Sequence, residues 1–317
     1  MAETILAVII TLNTIFSLLP GMMPTSKCYE AESPDDVLLN AVIAADLHTD
    51  ARASRDRTNI LRKAFVGISK DKTDLDAVIF AGDNTNCGDE AEYANLRRLT
   101  SVYLKTDRII PAMGNHDSWH HSDDPDYEKA KELFQDYCAH CGIDTDKNYY
   151  STAVNGFYFI VLGTETIMHN GSRISDVQAE WFDKTLGEAC ESGKPIFIIC
   201  HQTLAGHNGI RSDDDDAGSI GKDSAKIEAI LNKHAADSDN PIFFFSGHLH
   251  VLNDSTYEKN GNIHYVTLPS LEYTYGGGLG FVLEVYSDKV LLRCRNFITD
   301  CYVDQYEYSI PCNISAK

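Results

Sequence analysis

Short apolar runs alternate with helix-like stretches along most of the chain after residue 36. Apolar residues recur at helical spacing in five stretches, which predicts helices at residues 55–69, 89–105, 126–140, 175–192 and 223–236. Continuous apolar runs predict strands at residues 37–45, 77–82, 108–113, 157–163, 195–200 and 241–246, and the tail adds 263–268, 281–286 and 289–296. This alternation predicts an α/β fold, with strands buried on both faces early in the chain and more antiparallel pairing late.

The first 36 residues differ from the rest. No linker rich in proline, glycine or serine divides the chain after them, so we expect one domain at residues 37–312. Thr4–Leu19 is an apolar run of 16 residues, shorter than the ~20 that a membrane span needs. It resembles the hydrophobic part of a secretory signal, although no basic residue precedes it; an ordinary apolar helix is the alternative. We therefore expect residues 1–36 to be a signal-like or anchor segment with a linker, and the protein to be exported or membrane-associated, or otherwise cytoplasmic.

The composition narrows the class of partner. With 43% hydrophobic residues the chain can bury a core, which excludes a disordered protein. Its 27 basic and 47 acidic residues give a formal net charge of −20. Such a surface repels phosphate backbones, so we expect no nucleic-acid partner. The partner is expected to be a small molecule, or an anion captured by a local patch of positive charge.

The nine cysteines are too few, and too unevenly spaced, to define a disulfide scaffold. Cys301 and Cys312 could pair if the protein is exported. Cys138 and Cys141 look like half of a zinc site, but no second half accompanies them, and we expect a structural role.

Polar residues of one chemical kind follow five of the predicted strands. Carboxylate, imidazole and amide side chains stand directly after these apolar runs, and each could bind a metal. They are Asp46 and His48, Asp83, Asn115 with His116 and Asp117, His201, and His248 with His250. In open α/β sheets, ligands bind at the carboxyl ends of the strands. Five such matches predict a shared site, although any one of them alone would be unremarkable.

These motifs, D-x-H, G-D, G-N-H-D, a strand-end His and G-H-x-H, are similar to those of the calcineurin-like metallophosphoesterase family and stand in the same order. The resemblance extends over roughly residues 38–296. It implies a four-layer α/β/β/α sandwich of two mixed β-sheets flanked by helices.

The resemblance also implies a dinuclear metal site with two divalent transition metal ions, Mn, Fe or Zn. Asp83 would bridge the two ions. Carried over residue by residue, one metal would be held by Asp46, His48, Asp83 and His250, and the other by Asp83, Asn115, His201 and His248. The spacing of two residues in Asp46-x-His48 and His248-x-His250 fits ligands on one side of an extended segment.

Two bound cations would leave the site at about +1 inside an acidic protein, which favours a small phosphoester as substrate. The implied reaction is hydrolysis by a hydroxide that bridges the metals, with His116 as general acid. Asp117 would either orient that imidazole or cap the loop. Two departures from related patterns are present: Asn86 replaces an Asp that is frequent after G-D-x-x, and D-x-H replaces the D-x-D of purple acid phosphatases, which argues against a ferric–tyrosinate site.

The substrate is less well defined by the sequence. Residues 119–121 could line the site or form a solvated loop, and residues 206–209 could reach the leaving group. A phosphodiester is the favoured substrate. The alternatives are a phosphomonoesterase or protein phosphatase of the same family, and a non-catalytic scaffold on the same fold.

Overall fold

The computed structural model describes residues 31–51, 55–70, 74–106, 108–118, 126–214, 217–236 and 238–314. Twelve strands are present within these ranges. They are β1 Leu39–Ala44, β2 Ala77–Phe80, β3 Ile109–Pro111, β4 Tyr150–Val154, β5 Phe157–Val161, β6 Ile196–Ile199, β7 Ile242–Ser246, β8 Tyr257–Asn260, β9 Ile263–Thr267, β10 Leu279–Val285, β11 Lys289–Asn296 and β12 Cys301–Pro311.

The strands form two mixed sheets of six strands each. The first has the order β12-β11-β10-β1-β2-β3, and the second has the order β4-β5-β6-β7-β9-β8. In the first sheet β1, β2 and β3 are parallel, and β10 runs antiparallel to β1. In the second sheet β5, β6, β7 and β9 are parallel, while β4 and β8 pair antiparallel at the edges.

Six helices accompany the sheets in the described ranges. They are α1 Arg55–Ile68, α2 Glu90–Tyr103, α3 Asn115–Ser118, α4 Tyr127–His140, α5 Asp176–Cys190 and α6 Ser224–Ala235. The five longer helices were predicted from the sequence. Two of them begin with side-chain caps, because Asp126 accepts hydrogen bonds from the first turn of α4 and Ser175 does the same for α5.

The core lies between the sheets and under the helices. Alternate residues of β6 separate its two faces: Phe197 and Ile199 belong to the large cluster that joins both sheets, whereas Ile196 and Ile198 pack with α5 and α6. Two mixed sheets flanked by helices confirm the predicted fold class.

The prediction for the N-terminal segment falls on Thr4–Leu19, which lies outside the described residues. Within the described ranges no helix is long and apolar enough to cross a membrane. The longest, α5, has 15 residues, whereas a span needs ~20. The prediction of export or membrane association is therefore wrong for the described part of the chain.

No disulfide joins any two cysteines of the described residues. Cys301 begins the 11-residue strand β12, and Cys312 directly follows the end of that strand. At ~3.3 Å per residue the two cysteines are too far apart to form a disulfide, so the pairing considered from the sequence is excluded. Cys138 lies buried in α4, in agreement with a structural role.

Candidate metal centre

The predicted site residues follow the carboxyl ends of β1, β2 and β3 in the first sheet and of β6 and β7 in the second. Five of them have a left-handed backbone, which only nine non-glycine residues of the described chain adopt. These five are Asp46 (φ 56°), His48 (φ 44°), Asp83 (φ 50°), His248 (φ 67°) and His250 (φ 53°). The extended segments expected for the two x-spaced pairs are therefore not present. Left-handed turns, and not strand alternation, bring each pair together.

Backbone hydrogen bonds fix these turns to one another. The amide of Asp46 donates to the Gly82 carbonyl, and that of His48 donates to the Asp83 carbonyl, each at 3.0 Å. The amide of His248 donates to both carboxylate oxygens of Asp46 at 3.1 Å. The Asp46 carboxylate passes so close to Gly247 that a Cβ on this glycine would lie 2.6 Å from Oδ2. The glycine of the G-H-x-H motif thus makes room for a carboxylate from another strand.

The first group of potential ligand atoms comes from Asp46, His48, Asp83 and His250. These atoms all lie within 4.8 Å of one another. Nε2 of His250 is 2.9 Å from Oδ1 of Asp46 and 3.2 Å from Nε2 of His48. Nε2 of His48 is 3.8 Å from Oδ2 of Asp83. These four side chains could hold one cation between them.

The second group comprises Asp83, His201 and His248, whose ligand atoms also lie within 4.8 Å of one another. Nε2 of His201 is 3.1 Å from Oδ2 of Asp83. Asp83 therefore belongs to both groups, which is the arrangement of a carboxylate that bridges two cations.

Asn115 stands beside this second group. The amide of the next residue, His116, donates to Oδ1 of Asp83 at 2.9 Å, which fixes the backbone at this point. The Asn115 side-chain amide donates to the His169 carbonyl, and its Oδ1 accepts from Nε2 of Gln202 at 3.1 Å. A carbonyl oxygen has a second lone pair, so Oδ1 could still bind a cation.

The two carboxylates are strongly stabilised in their charged form. Burial alone would raise the pKa of Asp83, but the neighbouring charges of His201 and His48 outweigh it and lower that pKa. Burial likewise opposes ionisation of Asp46, whereas the hydrogen bond and charge of His250 hold its pKa below the ordinary value. Despite burial, the same carboxylates raise the pKa of His201 to about 9. The site therefore favours positive charge between Asp46 and Asp83.

The other two buried imidazoles behave differently. Burial lowers the pKa of His48 and of His248 to about 4 in each case, against the opposing charges of Asp83 and Asp46. Both rings are therefore neutral at pH 7, which is the form in which imidazole binds a metal.

A buried nitrogen with no hydrogen bond tests whether a cation fits. Nδ1 of His201 lies 2.8 Å from the carbonyl oxygen of Ala81. Because a carbonyl only accepts, Nδ1 carries a proton, and Nε2 is the nitrogen that would bind a cation after losing its own proton. Nε2 is buried, lies 3.1 Å from Oδ2 of Asp83 and makes no hydrogen bond of good geometry with the described residues. A cation at this position would satisfy Nε2 and the Asp83 carboxylate, so the residues of the second group fit a bound metal.

His116 lies at the edge of the cluster, half-buried in α3. Its ring meets that of His48 edge-on, with 4.7 Å between the ring centroids. Its Nδ1 is 2.7 Å from the backbone carbonyl oxygen of Asn86.

The hydrogen bonds of Asp117 go to the loop around it. Its carboxylate is fully buried and accepts hydrogen bonds from the amides of Asn84, Thr85 and Gly114, and from the side chains of Asn84 and Thr85. Burial and the charge of Asp83 raise its pKa in spite of these bonds. Of the two roles considered from the sequence, the loop cap is the one that these contacts support.

Two contacts near the site were not predicted. Gln202 holds the side chain of Asn115, as described above. Arg57 of α1 donates to Oδ1 of Asn86 at 2.8 Å and lies 3.4 Å from Oε1 of Glu272. The position of Gln202 directly after a strand-end histidine was a usable signal in the sequence, whereas nothing distinguished Arg57 from other helix arginines.

Of the two segments proposed to contact substrate, only residues 206–209 lie in the described part of the chain. Residues 119–121 lie outside the described part of the chain. His207 is bound to Glu258 at 2.8 Å and to Glu228 at 3.2 Å, and its ring stacks on Tyr265. Its role is therefore to tie its loop to α6 and β8, and its nitrogens are not available to a leaving group.

Comparison with known proteins places this site in a family. The purple acid phosphatase from yellow lupin (Lupinus luteus) seeds has the same fold, with a TM-score of 0.58 and 16% identity over 87% of this chain and 54% of that one. The chain therefore spans about half the length of the lupin enzyme. The phosphopantetheinyl hydrolase of Mycobacterium tuberculosis aligns with a TM-score of 0.44 and 13% identity, over 78% of this chain and 95% of its own. No curated protein sequence matches the chain.

The sequence model of one family matches most of the described domain. The match extends over residues 39–252, which include all the strand ends that supply the cluster. Members of this family are phosphoesterases that typically use two divalent metals, in agreement with the two groups of potential ligands that share Asp83. On this match the chain belongs to the calcineurin-like phosphoesterase family.

Proposed function

We propose that the protein is a metal-dependent hydrolase of small phosphoesters, with phosphodiesters as its preferred substrates. The observation that carries this proposal is the convergence of Asp46, Asp83 and four histidines into two groups of potential metal ligands that share Asp83. The family match supports the hydrolase class.

The assigned ligands follow the two groups. One cation is assigned to Asp46, His48, Asp83 and His250, and the other to Asp83, Asn115, His201 and His248. The mixture of imidazole and carboxylate donors suits Mn, Fe or Zn. When bound, such a pair neutralises phosphoryl charge and makes a nucleophile from water near neutral pH. The chain itself orients the ligands through the turn hydrogen bonds and keeps His48 and His248 in their neutral form.

His116 is proposed as the general acid. The Asn86 carbonyl can only accept, so Nδ1 of His116 carries a proton, and Nε2 of the imidazolium is the nitrogen proposed to deliver one. The ring is half-buried at the edge of the cluster, where an alkoxide or phenoxide could leave. Protonation of the leaving oxygen by Nε2 would complete the cleavage of the P–O bond.

Charge supports the choice of a small diester. A diester carries one negative charge, whereas a monoester carries up to two. In a protein with a net charge of −20, the monoester and any polyanion are repelled more strongly by the surroundings of the site.

Metal content and substrate preference test the proposal together. The purified protein is expected to retain two transition metals per chain and to hydrolyse bis-p-nitrophenyl phosphate faster than p-nitrophenyl phosphate in the presence of Mn, Zn or Fe. Asp83→Asn should lose both bound metals and activity, because Asp83 belongs to both ligand groups. Asp176→Asn, an exposed carboxylate in the first turn of α5, should change neither. A protein without tightly bound metals would be a scaffold, and a strong monoester preference would reverse the choice of substrate.

A second variant tests the general acid. His116→Asn is expected to lower kcat by ~10²–10⁴ for esters with poor leaving groups, because these need a proton from the enzyme. The loss should be smaller for p-nitrophenolate, and the metal content should be unchanged. His140→Asn, at the exposed end of α4, is the matched control. An equal loss for all leaving groups would remove the acid role.

A further inference from the structure

Two aromatic side chains are exposed in the loop that leads from β9 to β10. Tyr273 is 69% exposed and Tyr275 is 53% exposed. Only three other large hydrophobic side chains of the described chain are exposed to a comparable degree. Large exposed aromatic groups next to a polar site are a feature of ligand-binding surfaces.

The loop is attached to two of the candidate metal ligands. The amide of Tyr273 donates to Oγ of Ser270 at 3.0 Å, and this hydroxyl donates to the Asp46 carbonyl at 2.8 Å. Oγ1 of Thr274 donates to the His250 carbonyl at 2.9 Å. Tyr273 is therefore held beside the cluster by its own backbone and by its neighbours.

Four rings stand in succession across the site. The centroids of His116 and His48 are 4.7 Å apart, those of His48 and His250 are 5.1 Å apart, and those of His250 and Tyr273 are 6.2 Å apart. His116 stands next to His48 at one end of this succession, and Tyr273 stands next to His250 at the other. A phosphodiester has two organic groups. At this site, one would lie beside His116 and the other beside Tyr273.

We propose that Tyr273 forms a binding subsite for a planar aromatic group on the retained side of a phosphodiester. This inference rests on the proposed function. In the reaction, water loses one proton to the solvent and its hydroxyl oxygen bonds to phosphorus. The P–O bond on the side of His116 breaks, the leaving oxygen takes the proton of His116, and the solvent returns a proton to His116. The second P–O bond stays intact, and the aromatic group that it carries packs against Tyr273 in the product monoester.

Three esters that release the same p-nitrophenolate test the subsite. Phenyl p-nitrophenyl phosphate retains a ring, methyl p-nitrophenyl phosphate retains a methyl group, and p-nitrophenyl phosphate retains no organic group. Tyr273→Ala is expected to lower kcat/KM roughly 5–10-fold for the phenyl diester, which is the size of an aromatic pair contact. The two other esters should be hydrolysed as before, and Tyr273→Phe should behave as the unmodified protein.

Tyr275→Ala is the matched control. This tyrosine is exposed in the same loop but makes no ring contact with His250, so its removal should leave the preference for the phenyl diester unchanged. Equal losses for the phenyl and methyl diesters in Tyr273→Ala would overturn the subsite, as would a Tyr273→Phe variant as poor as the alanine variant. If the unmodified protein hydrolyses the esters without a preference for the ring, this inference fails alone. If it hydrolyses none of them, the proposed function fails with it.

Discussion

A backbone carbonyl holds Nδ1 of the His116 imidazole. The Asn86 carbonyl fixes the proton on Nδ1 as a carboxylate would, but it has no negative charge with which to stabilise the imidazolium. The orientation of the ring therefore depends on how firmly the turn at Asn86 is held. That turn is attached through its side chain to Arg57.

We expect Arg57→Ala to lower kcat about 3–10-fold with little change in KM, because the Asn86 turn and the His116 ring would lose their fixed position. Arg57→Lys should recover only part of the rate, since an ammonium group cannot reproduce the forked contact with Asn86 and Glu272. Steady-state kinetics on a diester with a poor leaving group measure the effect. Arg98→Ala, on the exposed side of α2, is the control. A raised KM with normal kcat would instead indicate a direct contact of Arg57 with substrate.

The site residues that the sequence predicted share one property: each follows an apolar strand directly. Position on a parallel strand determines where such a residue lies, so Asp46, Asp83 and His201 could be placed together. The partners that hold them could not be predicted. Arg57 lies 29 residues before Asn86, and Gln202 lies 87 residues after Asn115, so only the folded chain brings them together.

At the level of elements, three strands escaped prediction, and all three are edges. They are β4, β8 and β12. An edge strand is partly exposed to water, so it needs no continuous apolar run. In agreement with this, β8 is only partly buried along its length, and β12 alternates between buried and exposed residues. The central strands, buried on both faces, were recognised because they consist of apolar residues throughout.

The edge strand β8 is joined to β9 by a buried histidine. The hydroxyl of Tyr257 and Nδ1 of His264 share a hydrogen bond of 2.8 Å, and the His264 ring stacks on Phe243. Burial lowers the pKa of His264 to about 4 from its ordinary 6.5. Because the folded pKa lies below the unfolded one, the stability that this neutral histidine contributes is present above pH 6.5 and is lost as the pH falls towards 4.

We therefore expect the free energy of unfolding to fall between pH 7 and pH 5 by about 2 kcal/mol more in the unmodified protein than in His264→Phe. Urea unfolding at the two pH values measures this difference, and a general loss of stability in the variant cancels from it. His140→Phe, at an exposed position, should keep the dependence of the unmodified protein. An unchanged pH dependence in His264→Phe would show that the histidine is not the titrating group.

At the scale of the whole molecule, the acidic surface and the bound cations would have opposite effects on an anionic substrate. The net charge of −20 repels every anion at long range, whereas bound cations attract a phosphate at short range. We expect a long oligonucleotide to be hydrolysed more slowly than bis-p-nitrophenyl phosphate, and its rate to rise when NaCl screens the repulsion. The small diester should show a much weaker dependence on salt. An oligonucleotide that is hydrolysed fastest at low salt would contradict this expectation.

The left-handed turns at the cluster have a consequence for the choice of metal. Aspartate, asparagine and histidine enter this backbone region more readily than other residues with a side chain, and a bulky or branched residue enters it only under strain. The turns at Asp46, His48, Asp83, His248 and His250 therefore admit oxygen and imidazole donors and disfavour most replacements. Thiolate donors would favour softer metal ions. A cysteine at one of these positions would, however, also have to adopt the left-handed backbone conformation. The backbone conformation thus restricts which metal ions this site could come to bind through single substitutions.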